Sequence, residues 1–69
     1  DNEKAIADFT RAIELDPQDA FNYFYRGEAY RFNEQYNEAL ASYLKAEELD
    51  KDKYLAKSED LYNNMGIHT

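Results

Sequence analysis

Residues 5–15 read AIADFTRAIEL, and residues 39–49 read ALASYLKAEEL. The second stretch repeats the first at a displacement of 34 residues, so that Phe9 is answered by Tyr43 and the flanking alanines and the final leucine also recur. A fixed period of ~20 to 50 residues indicates stacked units rather than one globular core. The chain is therefore expected to contain two copies of one helix.

The apolar periodicity and the residues that interrupt it predict the helices. A stripe of apolar residues at three- and four-residue spacing predicts a first helix from about Asn2 to Leu15. A second helix is predicted from about Ala20 to Asn33, a third from about Tyr36 to Leu49, and a fourth within residues 54–69. The short links between them favour antiparallel neighbours.

Particular residues predict where these helices end. Pro17 should end the first helix, because its ring disfavours helical geometry at the residue before it. Asp19 is the expected N-cap of the second helix, and Asn33 is expected to take the left-handed conformation after it. The apolar stripe of the third helix does not continue in register into the fourth, which predicts a bend within residues 50–52.

A segment between the two copies, YFYRGEAY at residues 23–30, adds a second pattern. Together the pieces resemble the tetratricopeptide repeat family, whose units carry bulky residues and a glycine on a first helix, small and aromatic residues on a second helix, and a closing proline. The matching positions are Tyr23, Arg26, Gly27 and Tyr30 on a first helix, Ala39, Tyr43, Ala46 and Leu49 on a second, and Pro17 at the end of a preceding unit. Gly27 is expected to let Tyr43 or Tyr30 approach the helix backbone closely.

The resemblance implies an all-α fold of antiparallel helical hairpins stacked as an α-solenoid, with about four helices. It divides the chain into the second helix of a preceding repeat (residues 1–19), one complete repeat (residues 20–53) and the first helix of a following repeat (residues 54–69). In that third unit Tyr62 and Gly66 answer Tyr23 and Gly27 at a displacement of 39, so the unit is expected to be lengthened by five residues. The chain is accordingly interpreted as a fragment of a larger repeat protein.

The resemblance also places a partner-binding groove on the first helices of the units. The candidate groove residues are Phe21, Phe24, Tyr25, Glu28, Arg31, Phe32, Asn63 and Asn64. Phenylalanines on this arc could instead be buried between neighbouring helices. The two asparagines could bracket the backbone of an extended peptide, or they could be ordinary polar residues close to a terminus.

Composition excludes several classes of function. The net charge is −7, with the excess acid on the first and third predicted helices, which makes nucleic acid a poor partner. No cysteine is present, and His68 is the only histidine, without a nucleophile or metal ligand at motif spacing, so we expect no catalytic residue, no metal site and no cofactor. No apolar run is long enough to span a membrane and no secretory signal is apparent, which favours an intracellular location and no membrane partner.

Two hypotheses for function remain open. In the first, the chain is a protein-interaction module whose concave groove binds a peptide or a helix of a partner protein. In the second, it is a structural spacer or a self-assembling repeat segment without a dedicated ligand. Head-to-tail self-association, or a domain swap through the truncated ends, is a further expectation of the second hypothesis.

Overall fold

The computed structural model describes residues 1–64, apart from the side chains of Leu55 and Asn64, and residue 66. This part of the chain folds into four α-helices, which are α1 (Asn2–Leu15), α2 (Ala20–Phe32), α3 (Tyr36–Leu49) and α4 (Lys51–Asn64). The predicted all-α architecture is therefore confirmed. Each helix packs mainly against the next one in the chain, so that α2 contacts both α1 and α3, and α3 also contacts α4.

The ends of α1 and the start of α2 follow the predicted chemistry. The α1 helix stops at Leu15, and Asp16 leaves helical geometry with φ of −144° immediately before Pro17. Asp19 caps α2, because its carboxylate oxygen Oδ1 accepts a hydrogen bond from the backbone N–H of Phe21 at 3.1 Å. This bond satisfies one of the N–H groups that a helix start leaves without a partner.

The turn between α2 and α3 differs from the prediction by one residue. Asn33 keeps φ at −90°, whereas Glu34 adopts the left-handed conformation with φ of +62°. The N–H of Glu34 donates to the carbonyl of Arg31 at 3.0 Å, and the N–H of Gln35 donates to the carbonyl of Tyr30 at 2.8 Å. These two bonds form a Schellman motif, in which the left-handed residue is the second one after the helix. Glu34 occupies that place, so the expectation for Asn33 was wrong.

The predicted bend between α3 and α4 is confirmed. Asp50 breaks the helix with φ of −147° and ψ of 78°, although its backbone N–H still donates to the carbonyl of Ala46. A single non-helical residue is enough to redirect the chain, and α4 begins at Lys51 without a glycine or proline. The apolar register, rather than local helix propensity, therefore decides this break.

The centre of the core is Tyr43 of α3 against Gly27 of α2. Tyr43 is fully buried, and a Cβ placed on Gly27 would lie only 2.7 Å from its ring carbon Cδ1. The expected close approach at Gly27 is therefore confirmed for Tyr43. The buried apolar cluster around this contact consists of Ile13, Tyr23, Phe24, Ala39, Tyr43, Ala46, Tyr54 and Leu61.

Arg26 connects three helices from its position on α2. Its Nε donates to Oγ of the buried Ser42 on α3 at 3.1 Å, and its Nη1 donates to Oγ1 of Thr10 on α1 at 3.4 Å. The guanidinium also lies 5.6 Å from the ring centroid of Tyr23, within the range of a cation–π contact. These contacts hold α2 against α1 and α3.

Candidate functional site

An open groove lies between the N-terminal halves of α2 and α4. It has a volume of about 220 Å³ and is lined by Phe21, Phe24, Tyr25, Lys53, Tyr54 and Lys57. The α2 residues are at positions i, i+3 and i+4, and the α4 residues are at positions i, i+1 and i+4, so each set lies within an arc of about 100° around its helix. The groove therefore depends on α4 lying beside α2 on the same side of α3.

Aromatic rings build the floor and one wall of this groove. Phe24 and Tyr54 are buried and stack with their ring centroids 4.9 Å apart. The rings of Tyr25 and Phe24 are nearly perpendicular with their centroids 4.8 Å apart, and the centroid of Tyr25 lies 4.4 Å from that of Phe21. Phe21 and Tyr25 remain 48% and 40% exposed, so they present ring surface to whatever enters. Aromatic pairs prefer such tilted or offset arrangements. The exposed surfaces of Phe21 and Tyr25 on the open side of the groove leave room for a further ring.

Two lysines form the opposite rim on α4. The Nζ atom of Lys57 lies 5.3 Å from the ring centroid of Phe24, and the Nζ atom of Lys53 lies 5.5 Å from that of Tyr54. No carboxylate is among the residues that line the groove. Between described residues the ion pair within 4 Å is Lys45 with Glu48, which lies on α3. The rim is therefore a local positive region on a chain of net charge −7.

Glu28 has a structural partner one turn beyond the groove. The hydroxyl group of Tyr43 donates a hydrogen bond to its carboxylate oxygen Oε1. Burial raises the pKa of Tyr43 well above the ordinary tyrosine value, the carboxylate of Glu28 raises it further, and the guanidinium of Arg31 partly opposes the increase. Glu28 and Arg31 thus lie close to the buried hydroxyl, and Glu28 is engaged in holding α2 to α3.

The structure places the sequence-predicted groove residues in different environments. Phe21 and Tyr25 line the groove with exposed surface, whereas Phe24 is only 8% exposed and belongs to the core cluster, as the packing alternative expected. Phe32 is 72% exposed but does not line the groove, and neither does the exposed Asn63. The side chain of Asn64 lies outside the described residues, as do Met65 and His68. The groove assignment as a whole stays a prediction.

The α4 side of the groove was missed by the sequence reasoning. Tyr54 and Leu61 are buried, and they lie 34 residues after Ala20 and Gly27. If the 34-residue period had been extended into the fourth helix, it would have predicted that Tyr54 and its neighbours Lys53 and Lys57 lie beside α2. The predicted lengthening of the third unit by five residues, and the division of the chain at residue 54, stay predictions.

Across residues 1–64 and 66, no group of three histidine, cysteine or acidic side chains is arranged to hold a metal ion. None of the described helices has the length and apolar character needed to cross a membrane.

Comparison with known families identifies one repeat unit. Residues 9–41 match the tetratricopeptide repeat, a segment that runs from the middle of α1 through α2 into the first part of α3. The matched segment contains Pro17, Gly27 and the α2 half of the groove. No solved structure matches the chain significantly.

Proposed function

We propose that the chain, whose residues 9–41 match the tetratricopeptide repeat, is a protein-interaction module whose groove between α2 and α4 binds a peptide or a helix of a partner protein. Tetratricopeptide repeats are in general protein–protein interaction modules, and they are typically scaffolds without enzymatic activity. The partner, the groove as its binding surface and the intracellular location are parts of the proposal.

The observation that carries the proposal is the half-exposed aromatic wall. Phe21 and Tyr25 keep 48% and 40% of their surface open although the neighbouring Phe24 is buried. Tyrosine and other aromatic residues are enriched where proteins meet partners, because a large rigid ring buries much apolar area at a small entropic cost. The groove also has a firm base, since its floor of Phe24 and Tyr54 belongs to the core cluster.

A structural spacer or self-assembling segment is the second candidate. It is favoured by Leu15 on α1 and Phe32 on α2, which are 83% and 72% exposed and lie away from the groove. Such residues could contact another copy of the chain, either head to tail or after an exchange of helices. The two candidates differ in the surface that matters, so a comparison of variants separates them.

The test is a selection of binding peptides from a random display library against the purified chain and two variants. Phe21→Ser removes one ring from the groove wall, and Leu44→Ser is its matched control, because Leu44 is 42% exposed on α3 and does not line the groove. Circular dichroism should first establish that both variants remain helical. We expect the unmodified chain and Leu44→Ser to retain the selected peptides and Phe21→Ser to lose them at least about tenfold, as for truncation of an aromatic anchor.

Two results would contradict the proposal. If the selected peptides bind Phe21→Ser as well as they bind Leu44→Ser, the groove is not the binding surface. If no peptide is enriched and sedimentation shows association that depends on the concentration of the chain alone, the self-assembling segment is the better account.

A further inference from the structure

We infer that the groove recognises an acidic protein segment, in which an aromatic side chain inserts between Phe21, Tyr25 and the α4 rim while a neighbouring carboxylate is held by Lys53 and Lys57. The inference rests on the proposed function and specifies the chemistry of the partner. It follows from three features of the groove, which are its size, its rings and its charge.

The size of the groove limits what can enter it. A volume of about 220 Å³ falls below the ~300 to 1,000 Å³ of pockets that enclose a drug-sized ligand. A groove of this size and openness accepts one large side chain, not a whole helix face. The segment that supplies this side chain therefore passes over the groove and contacts its rim with the neighbouring residues.

The rings favour an aromatic side chain at the centre. Phe24 already packs against Tyr25, Tyr43 and Tyr54, with ring centroids 4.8, 5.8 and 4.9 Å away. Phe21 contacts Tyr25, and Tyr25 also contacts Phe24 and stacks on Phe9 at a centroid distance of 6.1 Å, yet Phe21 and Tyr25 both remain partly open to solvent. A further ring placed against them would complete a cluster in the tilted or edge-on geometry that aromatic side chains prefer.

The two lysines of the rim favour a negatively charged residue next to the inserted aromatic side chain of the partner. Lys53 and Lys57 are four residues apart on α4 and therefore project from the same side of the helix. Their ammonium groups lie over Tyr54 and Phe24, and no carboxylate lines the described groove. A segment with a carboxylate next to its aromatic residue would pair with them, whereas a basic segment would be repelled at the rim.

The net negative charge of the chain restricts where an acidic segment can bind. Acidic groups outnumber basic groups by seven over the whole chain, so the net charge of the molecule repels an acidic segment, whereas the two lysines of the rim attract it. Two lysines without arginine or further basic residues also do not form the clustered surface that a nucleic acid backbone requires. The observations thus favour a protein segment of mixed aromatic and acidic character.

The test uses three short peptides capped at both ends and titrated into the whole ¹⁵N-labelled chain. The first has a central phenylalanine between an aspartate and a glutamate, the second replaces those acids by asparagine and glutamine, and the third replaces the phenylalanine by alanine. Amide shifts of α2 and α4 report the binding. Because exposed ion pairs each contribute little, we expect the acidic peptide to bind about fivefold more tightly than its amide counterpart at low salt. We expect the alanine peptide to lose at least as much affinity.

Variants of the chain test whether Lys53 and Lys57 cause the difference in affinity between the acidic and amide peptides. The double variant K53Q/K57Q should bind the acidic and amide peptides equally, because the two ammonium groups are gone while the rings remain. The variant K45Q is the control, since Lys45 lies on α3, pairs with Glu48 and does not line the groove. It should retain the preference for the acidic peptide in full.

The outcomes separate this inference from the proposed function. Equal binding of the acidic and amide peptides, with shifts confined to the groove, overturns the acidic preference and leaves the groove as a binding surface. The absence of binding by all three peptides also overturns the inference, and the library selection then decides whether the groove binds other segments. If the groove resonances instead move when the chain alone is concentrated, a second copy is the occupant and the inference is wrong.

Discussion

Replacement of Gly27 by alanine should destabilise the fold even though alanine is the better helix former. Alanine gains ~1 kcal/mol over glycine in a helix interior. The added Cβ, however, would lie 2.7 and 2.8 Å from ring carbons Cδ1 and Cε1 of Tyr43, and 3.3 Å from the carbonyl oxygen of Ala39. Ordinary contact begins near 3.4 Å, so the ring would have to move by about 0.7 Å.

Little in the core permits that movement. Tyr43 and Ala39 are fully buried, and the hydroxyl of Tyr43 is held by Glu28. We therefore place the cost of overpacking near the upper end of its ~1 to 3 kcal/mol range. The net loss is ~2 kcal/mol, which corresponds to a fall in Tm of ~8 to 16 °C for a domain of this size.

Thermal unfolding followed by circular dichroism at the helix band measures this loss. The control is a double-mutant cycle with Tyr43→Leu, in whose background the ring is absent and Gly27→Ala should be neutral or stabilising by up to ~1 kcal/mol. A Tm for Gly27→Ala equal to or above that of the unmodified chain would refute the account of this contact.

Three further predictions concern the turn, the buried hydroxyl and the cap. Glu34→Gly should raise the unfolding free energy by ~1 kcal/mol in urea titrations, because a left-handed residue with a Cβ is strained; an unchanged midpoint would contradict this. The folded-state pKa of Tyr43 is raised above the unfolded value of about 10, so its stabilising contribution is complete below pH ~10 and is lost at up to ~1.4 kcal/mol per pH unit above it. Tyr43→Phe should lack that part of the alkaline loss, and identical pH profiles would argue against a raised pKa. Asp19→Ala should cost ~1 kcal/mol, since the N–H of Phe21 loses its acceptor, and Asp19→Asn, which retains the acceptor, should restore most of the stability.

The limits of α1 and α3 could be predicted because strong local signals agree with the repeat. Pro17 ends the first helix, and the recurrence of Phe9 as Tyr43 places both helices in one register. The close approach at Gly27 could also be predicted, because a glycine inside a helix is unfavourable unless packing requires it. At each of these positions, few other residue types could take the same physical role.

The α2–α3 turn and the α4 side of the groove were harder to predict. Glycine is the usual left-handed residue of a helix end, and without it the sequence does not indicate whether Asn33 or Glu34 takes that conformation. The position of α4 depends on the non-helical residue Asp50 and on burial of Tyr54 and Leu61. Leu61 lies 34 residues after Gly27, so a leucine stands where the repeat would have a glycine and the sequence does not reveal the period there. The burial of Leu61 nevertheless matches that period.

The aromatic groove exists because α4 lies beside α2 and contributes one of its sides. Nuclear Overhauser spectroscopy on the isotopically labelled chain tests this directly, because the ring centroids of Phe24 and Tyr54 are 4.9 Å apart and the Nζ atom of Lys57 lies 5.3 Å from the ring centroid of Phe24. We predict cross-peaks between the protons of the two rings, together with upfield shifts of the side-chain methylene protons of Lys57 caused by the ring of Phe24. Absence of the ring-to-ring cross-peaks, with those methylene protons at their random-coil positions, would contradict the groove on which the proposed function depends.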